Sequence, residues 1–123
     1  MRGSEHSKDM DEVFSEIARS LREATPLAVA TVATTSGSTP RKPGARMAVR
    51  PDGSFCGTIG GGSAEAEVRA AAMEVLDTGL PRLVTVDLTE PTETGDRICG
   101  GVMEVFIERI TPGGDPTCQS VPP

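Results

Sequence analysis

The chain has 123 residues and a formal net charge of −6, so it is long enough for one modest core and too short for two. The acidic balance disfavours the phosphate attraction on which nucleic-acid binding depends, and three aromatic residues are too few for a surface that stacks bases. No apolar run approaches the length that crosses a bilayer.

The N-terminal part of the sequence predicts one amphipathic helix. Residues 1–9 are polar and are interpreted as a flexible N-terminus or a tag remnant. A helix is then expected from residue 9 to about residue 24, with Asp9 as its cap and Pro26 just beyond its end. Apolar side chains spaced three and four apart place one stripe on this helix: Met10, Val13, Phe14, Ile17 and Leu21.

Three strands are predicted next. Residues 27–34, "LAVATVAT", form a nearly continuous apolar run that is typical of a strand buried on both faces. The segments "ARMAVR" and "SFCGTI" are joined by "PDG", which predicts a hairpin. Strand alternation directs Ala45, Met47 and Val49 to the core and leaves Arg46 and Arg50 together on the other face.

The remainder predicts a second helix and two more strands. The helix follows "GGG", with Ser63 as its cap and Gly79 as its end, and its buried stripe is Val68, Ala72, Val75 and Leu76. Residues 82–88 and 101–110 are interpreted as strands, and residues 111–123 as a disordered tail. The expected fold class is α/β, with α+β as the other option: one domain over residues 10–110, a single mixed sheet of about five strands, two main helices and no Rossmann domain.

A basic loop is the first candidate site. A third of the twelve Lys and Arg residues lie between positions 41 and 50, and "GSTPRKPGAR" adds hydroxyl donors and glycines that allow close backbone approach. Cations, hydroxyls and exposed N–H groups are what an oxyanion requires. A solvated turn between two strands is the alternative. The residues concerned are Ser38, Thr39, Arg41, Lys42 and Arg46.

A glycine-rich turn is the second candidate. Gly60, Gly61, Gly62 and Ser63 precede a helix, where unpaired N–H groups and the positive dipole end favour an anion, and Glu65 lies in the first turn. The spacing matches neither the Walker loop nor the G-x-G-x-x-G pattern. A purely structural turn explains the glycines equally well.

The third candidate is "CGG", residues 99–101, where Cys99 is a candidate metal ligand or reactive thiol beside Gly100 and Gly101. Packing as a small buried side chain is the alternative. Cys56 is assigned to packing, and Cys118 receives no role. Three irregularly spaced cysteines favour reduced thiols in the cytoplasm, and the single histidine, His6, leaves Ser–His or Cys–His catalysis without a well-placed base.

In this order the three motifs, "GSTPRKPGARM", "DGSFCGTIGGGSAEAEV" and "ICGGVMEVFIERI", resemble the N-terminal domain of the XdhC/CoxI family over roughly residues 10–110. The resemblance implies a non-enzymatic role in the maturation of xanthine dehydrogenase, carbon monoxide dehydrogenase and related molybdenum hydroxylases. Family members bind molybdenum cofactor, protect it, support its sulfuration and pass it to the apo-hydroxylase. The candidate cofactor-binding residues are Ser38, Thr39, Arg41, Lys42, Arg46, Gly60, Gly61, Gly62, Ser63, Glu65, Cys99, Gly100 and Gly101, with Cys99 as a candidate metal ligand.

The resemblance also implies partners. A molybdenum hydroxylase is the expected client, and a cysteine desulfurase and a separate Rossmann-domain subunit are further candidates, because longer members carry such a domain. Many members have cysteine directly after the glycine run, where this chain has Ser63, so Cys99 is the only motif cysteine. Apolar sheet edges favour a homodimer. Two alternatives stay open: a module that docks on a protein without binding cofactor, and a small nucleotide- or pterin-modifying enzyme with Cys99 as nucleophile.

Overall fold

Seven elements follow one another along residues 4–37, 39, 42–60, 62–88 and 101–111, which the computed structural model describes; the side chains of residues 4–10 and of Ser63 lie outside that description. In chain order they are α1 (Ser4–Glu23), β1 (Leu27–Ser36), β2 (Arg46–Val49), β3 (Phe55–Gly57), α2 (Gly62–Thr78), β4 (Arg82–Asp87) and β5 (Val102–Ile110).

The strands form one sheet in the order β3-β2-β1-β5-β4. The predicted fold class, number of strands and two helices are confirmed. The sheet is not mixed, however: every described strand pair is antiparallel, which corresponds to the α+β option. The reason lies in α2, which connects the two edge strands β3 and β4. These strands run in the same direction but never become neighbours, so the crossover creates no parallel pair.

The two helices cover opposite faces of the sheet, and each face has its own core. The larger core lies under α2, where Val68, Ala72 and Val75 are fully buried. They pack against side chains of β1, β2, β4 and β5, including Met103 and Ile107. The smaller core lies under α1 and consists of Val13, Leu27, Val29 and Ala48. β1 contributes to both cores, which confirms the prediction of a strand buried on both faces.

The hairpin is also confirmed. Gly53, at φ +89°, donates its N–H to Arg50 O at 2.8 Å, and the β2–β3 pair follows. Met47 and Val49 point to the α2 side, whereas Arg46 and Arg50 lie on the α1 side, as alternation predicted. Gly79 ends α2 at φ +78°, donating its N–H to Val75 O at 2.8 Å.

Several boundaries differ from those predicted. α1 begins at Ser4, so it includes part of the segment predicted to be flexible, and the sequence "SEHSK" contains no helix breaker that would delay its start. α2 begins at Gly62, one residue before the predicted cap. The predicted tail lies outside the described residues beyond residue 111.

The apolar stripe predicted for α1 is wider than the face that meets the sheet. Val13 is fully buried and Ile17 is partly buried, but Phe14 and Leu21 are 51% and 46% exposed. Ser20 takes a buried position instead, because its hydroxyl donates to Thr25 O and needs no partner from solvent. Two large apolar side chains therefore remain on the flank of α1.

An ion pair ties α1 to β2. Arg50 donates from Nε and Nη2 to the two carboxylate oxygens of Glu16, at 2.8 and 3.0 Å, and the Glu16 side chain is only 12% exposed. This hydrogen bonding lowers the pKa of Glu16 below its ordinary value of 4.5 and raises the pKa of Arg50. The pair explains why Arg50 follows the basic loop so closely.

We expect Glu16→Gln to lower the free energy of unfolding by about 1–2 kcal/mol at pH 7, because a bidentate, largely buried charge pair is lost. Since the folded pKa of Glu16 lies below the unfolded one, its contribution is present above about pH 4.5 and disappears as pH falls through the folded pKa. Urea unfolding at several pH values should therefore show that the difference in free energy of unfolding between wild type and variant becomes smaller in acid. Glu23→Gln, which removes an exposed partner of Arg19, is the control and should change little. A difference in free energy of unfolding that does not change with pH would contradict the stabilising role of the Glu16–Arg50 ion pair.

Candidate functional site

Each of the three sequence motifs has described residues at the same end of the sheet. β1 and β4 end there and β2 and β5 begin there, so that Gly44 donates to Val32 O at 2.8 Å and Leu88 donates to Gly101 O at 2.8 Å. β3 also ends there, with Thr58 N–H donating to Arg46 O at 3.2 Å. We call this the loop end. Its described residues are Gly37, Thr39, 42–45, 58–60, Gly62 and Gly101.

The basic loop presents Lys42 to solvent. Lys42 O accepts the N–H of Ala45 at 3.2 Å, which closes a turn around Gly44 at φ +100°. A Cβ at Gly44 would meet no atom within 4 Å, so the backbone there is open to a ligand. Thr39 is half-buried at the same loop. Ser38 and Arg41, predicted in the same set, lie outside the described residues.

Arg46 and Arg50, the other basic residues of the cluster, make contacts with α1. Arg50 is bound by Glu16, and the Arg46 guanidinium lies 5.5 Å from the centroid of the Phe14 ring. Arg46 is still next to the loop, with Nη1 3.5 Å from Gly44 O. The basic residues between positions 41 and 50 therefore serve two purposes. Arg46 and Arg50 hold α1 on the sheet, whereas Lys42 is exposed in the loop.

The glycine-rich turn is held by a residue that the sequence analysis missed. Thr58 Oγ1 accepts the N–H of Gly60 at 3.0 Å and donates to a carboxylate oxygen of Glu65 in the first turn of α2. The Gly60 N–H is therefore used within the turn. A threonine two residues before a glycine is the pattern of an ST turn, and this signal was available in "GTIGGG".

The start of α2 borders open space. Gly62 has φ +65°, and a Cβ there would meet no atom within 4 Å. The first N–H groups of a helix have no partner within it, and the dipole is positive at this end. Gly61 lies outside the described residues, as does the side chain of Ser63. Glu65 is half-buried and faces Thr58, so its carboxylate already compensates part of the positive end.

The third motif reaches the loop end through Gly101, which is buried at the start of β5. Cys99 and Gly100 lie outside the described residues. Within the part of the chain that is described, no group of three or more His, Cys, Asp or Glu side chains is placed to hold a metal ion. Cys56 packs under α1 with Sγ 3.8 Å from Glu12 O, and burial raises the pKa of its thiol, which disfavours the reactive thiolate.

Among the described helices, none is both long enough and apolar enough to cross a membrane. α1 is the longest, and it carries six acidic and three basic residues.

Comparison with known proteins gives three similarities. The sequence matches the model of the XdhC and CoxI family over residues 20–87, just over half of the chain. It is 38% identical over 96 residues to the protein YqeB of Escherichia coli strain K12, covering 77% of this chain and 18% of that protein. The fold matches a Bacillus halodurans protein described as a xanthine dehydrogenase with a TM-score of 0.71 and 30% identity, covering 80% of this chain and 29% of the other. The chain therefore spans less than a third of the length of either relative.

Proposed function

Because the chain belongs to the XdhC and CoxI family, we propose that it is an accessory factor in the maturation of molybdenum hydroxylases, and that it binds molybdenum cofactor at the loop end of its sheet. In this role it is not a catalyst. It holds the cofactor while a cysteine desulfurase supplies sulfur, and passes it to an apo-hydroxylase of the xanthine or carbon monoxide dehydrogenase type in the cytoplasm. A separate Rossmann-domain subunit is a further proposed partner.

The observation that supports this proposal best is the convergence of three motifs, distant in sequence, on one end of the sheet. Residues 42–45, the turn at 58–60 with Gly62, and Gly101 all lie where strands begin or end. Gly44 and Gly62 adopt positive φ and leave open space beside the backbone, so a ligand would have access to the main chain at two of these places. Loops fixed by a rigid sheet are the usual position of a binding site.

The described residues fit the anionic part of the cofactor. Molybdenum cofactor carries a phosphate, a pterin and a metal oxo centre held by a dithiolene. Lys42 offers an exposed positive charge, and the first turn of α2 offers N–H donors beside Gly62. Arg46 lies close enough to Gly44 to add charge at the same loop. We assign Cys99, which precedes Gly101 by two residues, to the sulfur or metal side of the cofactor.

Glu65 has a different role within this proposal. Its carboxylate would repel a phosphate placed directly against it, and it accepts a hydrogen bond from Thr58. We therefore assign Glu65 to holding the glycine-rich turn in shape, so that the start of α2 and the basic loop keep a fixed separation. An anion would then lie on the Lys42 side of the turn.

The proposal is tested by cofactor retention. The purified protein is incubated anaerobically with freshly released molybdenum cofactor, desalted, and assayed for molybdenum and for oxidised-pterin fluorescence. We expect both to co-elute with the wild type, and Arg41→Ala with Lys42→Ala to reduce retention about tenfold, because two charge-assisted contacts are lost. The melting temperature should hardly change, since Lys42 is exposed.

Arg19→Ala with Arg22→Ala is the matched control. It removes the same charge from the exposed side of α1, away from the loop end, and should leave retention unchanged. Equal retention by the loop variant and the wild type would contradict the proposed site. Folded wild-type protein that retains neither molybdenum nor pterin would contradict cofactor binding and favour the docking-module alternative.

A further inference from the structure

The two helices leave part of the sheet uncovered. α2 packs across β1, β2, β4 and β5, whereas the main contacts of α1 are with β2 and β3 at one edge. On the α1 side, therefore, β4 and most of β5 lie beyond the main contacts of α1, and only Ile110 at the end of β5 packs against the core under that helix. Phe106 of β5 and Leu83 of β4 lie opposite each other in register on this face and are 38% and 57% exposed.

One row of side chains crosses this open face. The strand register aligns Arg46, Thr31, Phe106 and Leu83 on four successive strands, β2, β1, β5 and β4. Phe14 of α1 lies over the first of them, Arg46. We call this row the floor of the open face. It begins beside α1 and extends to the edge strand β4.

The flank of α1 forms a wall beside this floor. Phe14 and Leu21 are seven residues apart, two helical turns, and so lie on one flank, and both are about half exposed. Glu16, which pairs with Arg50 towards β3, is two residues from Phe14 and therefore on the opposite flank. The apolar flank faces the open strands. Wall and floor together make a groove that we define by Phe14, Leu21, Phe106 and Leu83.

The width of the groove matches one α-helix. Neighbouring strands lie about 4.8 Å apart, so β1 to β4 spans about 10 Å, which is close to both the diameter of a helix and the usual spacing of packed helices. A single helix placed beside α1 would complete the layer on this face. It would cover four large apolar side chains, which are unusual on the surface of a small acidic domain.

The charge beside the floor determines what kind of helix fits. Glu104 and Glu108 lie two residues before and after Phe106, on the same face of β5. Glu104 accepts a hydrogen bond from Thr34 Oγ1 at 2.9 Å, so this carboxylate is held at the groove. With a net charge of −6 on the chain, a partner with Lys and Arg beside its apolar stripe is favoured, and an anionic membrane surface is repelled.

Neither of the helices in the described part of the chain would supply such a helix from a second copy. α1 has six acidic and three basic residues, and α2 has four acidic residues and one basic residue. Both would bring like charge to Glu104 and Glu108. We infer that the groove binds an α-helix of another protein, with an apolar stripe flanked by Lys and Arg. The inference does not rest on cofactor binding, since none of the four residues that define the groove belongs to the loop end.

The test uses a labelled peptide of about 18 residues, five helical turns, with a leucine stripe at helical spacing flanked by lysines. Binding to the full chain is measured by fluorescence anisotropy. A second peptide carries glutamate in place of every lysine on the same stripe. We expect the lysine peptide to bind at least about tenfold more tightly than the glutamate peptide. Equal binding of both peptides, or no binding of the lysine peptide, would overturn the inference.

The position of the binding site is tested with the double variant Leu83→Thr, Phe106→Thr. It keeps strand propensity and removes two exposed apolar side chains. This variant should bind the lysine peptide at least about tenfold more weakly. Leu80→Thr, which removes a 68% exposed leucine outside the groove, is the matched control and should bind as the wild type does. Unchanged binding by the double variant would overturn the inference. Self-association of the wild type that the double variant abolishes would do so as well, because the occupant would then be a second copy.

Discussion

Replacing Gly57 with alanine is expected to lower the free energy of unfolding by about 3 kcal/mol or more, because backbone strain and a steric collision add at this position. Gly57 ends β3 at φ +78°, a conformation that L side chains rarely adopt. A Cβ there would lie 2.5 Å from Val13 Cγ2 and 2.6 Å from Arg46 O, so α1 or β2 would have to move. The measurement is urea unfolding followed by circular dichroism.

Gly53→Ala is the matched control for this prediction. Gly53 also has a positive φ, +89°, but its Cβ would meet no atom within 4 Å, so only backbone strain of about 1 kcal/mol is expected. Val13→Ala provides a second check, because it should cost less in the Gly57→Ala background than in the wild type if the two positions collide. Equal losses for Gly57→Ala and Gly53→Ala, with no coupling to Val13, would show that close approach of α1 to β3 is not what requires this glycine.

Thr58→Val is expected to have the next largest effect and to connect stability with binding. The change keeps the shape of the side chain but removes the acceptor for Gly60 N–H and the donor to Glu65. Leaving a half-buried carboxylate without this partner should cost about 1–3 kcal/mol in the free energy of unfolding. Because the glycine-rich turn then loses its anchor, retention of molybdenum cofactor should fall as well.

Thr58→Ser distinguishes the contribution of the hydroxyl from that of the methyl group. It keeps both hydrogen bonds, so retention should return to near the wild-type value even though a methyl group has been removed. Urea unfolding and the anaerobic retention assay are run on both variants. Loss of stability with full retention in Thr58→Val would contradict the role of this turn in the site, and equal behaviour of Val and Ser would contradict the hydrogen-bond explanation.

Local sequence pattern was enough to predict most elements of this fold. Alternation placed Met47 and Val49 on one face and Arg46 on the other, and "PDG" placed the hairpin, because both signals act over a few residues. The antiparallel sheet was not predicted, since it depends on which strand lies beside β1, and β5 is distant in sequence. The exposure of Phe14 and Leu21 was missed for the same reason: the pattern shows an apolar stripe, but not how much sheet lies beneath it.

The sequence predicted which residues lie at the candidate site better than it predicted the contacts that those residues make. Lys42, Gly44 and Gly62 lie at the loop end as the motifs indicated. Arg50 was counted in the basic cluster at positions 41–50, but its ion pair was not predicted because its partner, Glu16, is 34 residues away in sequence. Thr58 was passed over because threonine is common in strands, and only the hydrogen bonds to Gly60 and Glu65 distinguish it.

The central claim is that the loop end binds an anionic pterin cofactor, and amide chemical-shift mapping tests it most directly. The ¹⁵N-labelled protein is titrated anaerobically with freshly released molybdenum cofactor, and in parallel with inorganic phosphate alone. We expect the shifts to be confined to the loop end, at Lys42, Gly44, Gly60, Gly62 and Gly101, with phosphate affecting only the first four. A separate cleft between α1 and β3 is lined by Arg19, Arg50 and Cys56. Shifts confined to that cleft, or no shifts in folded protein, would contradict the account.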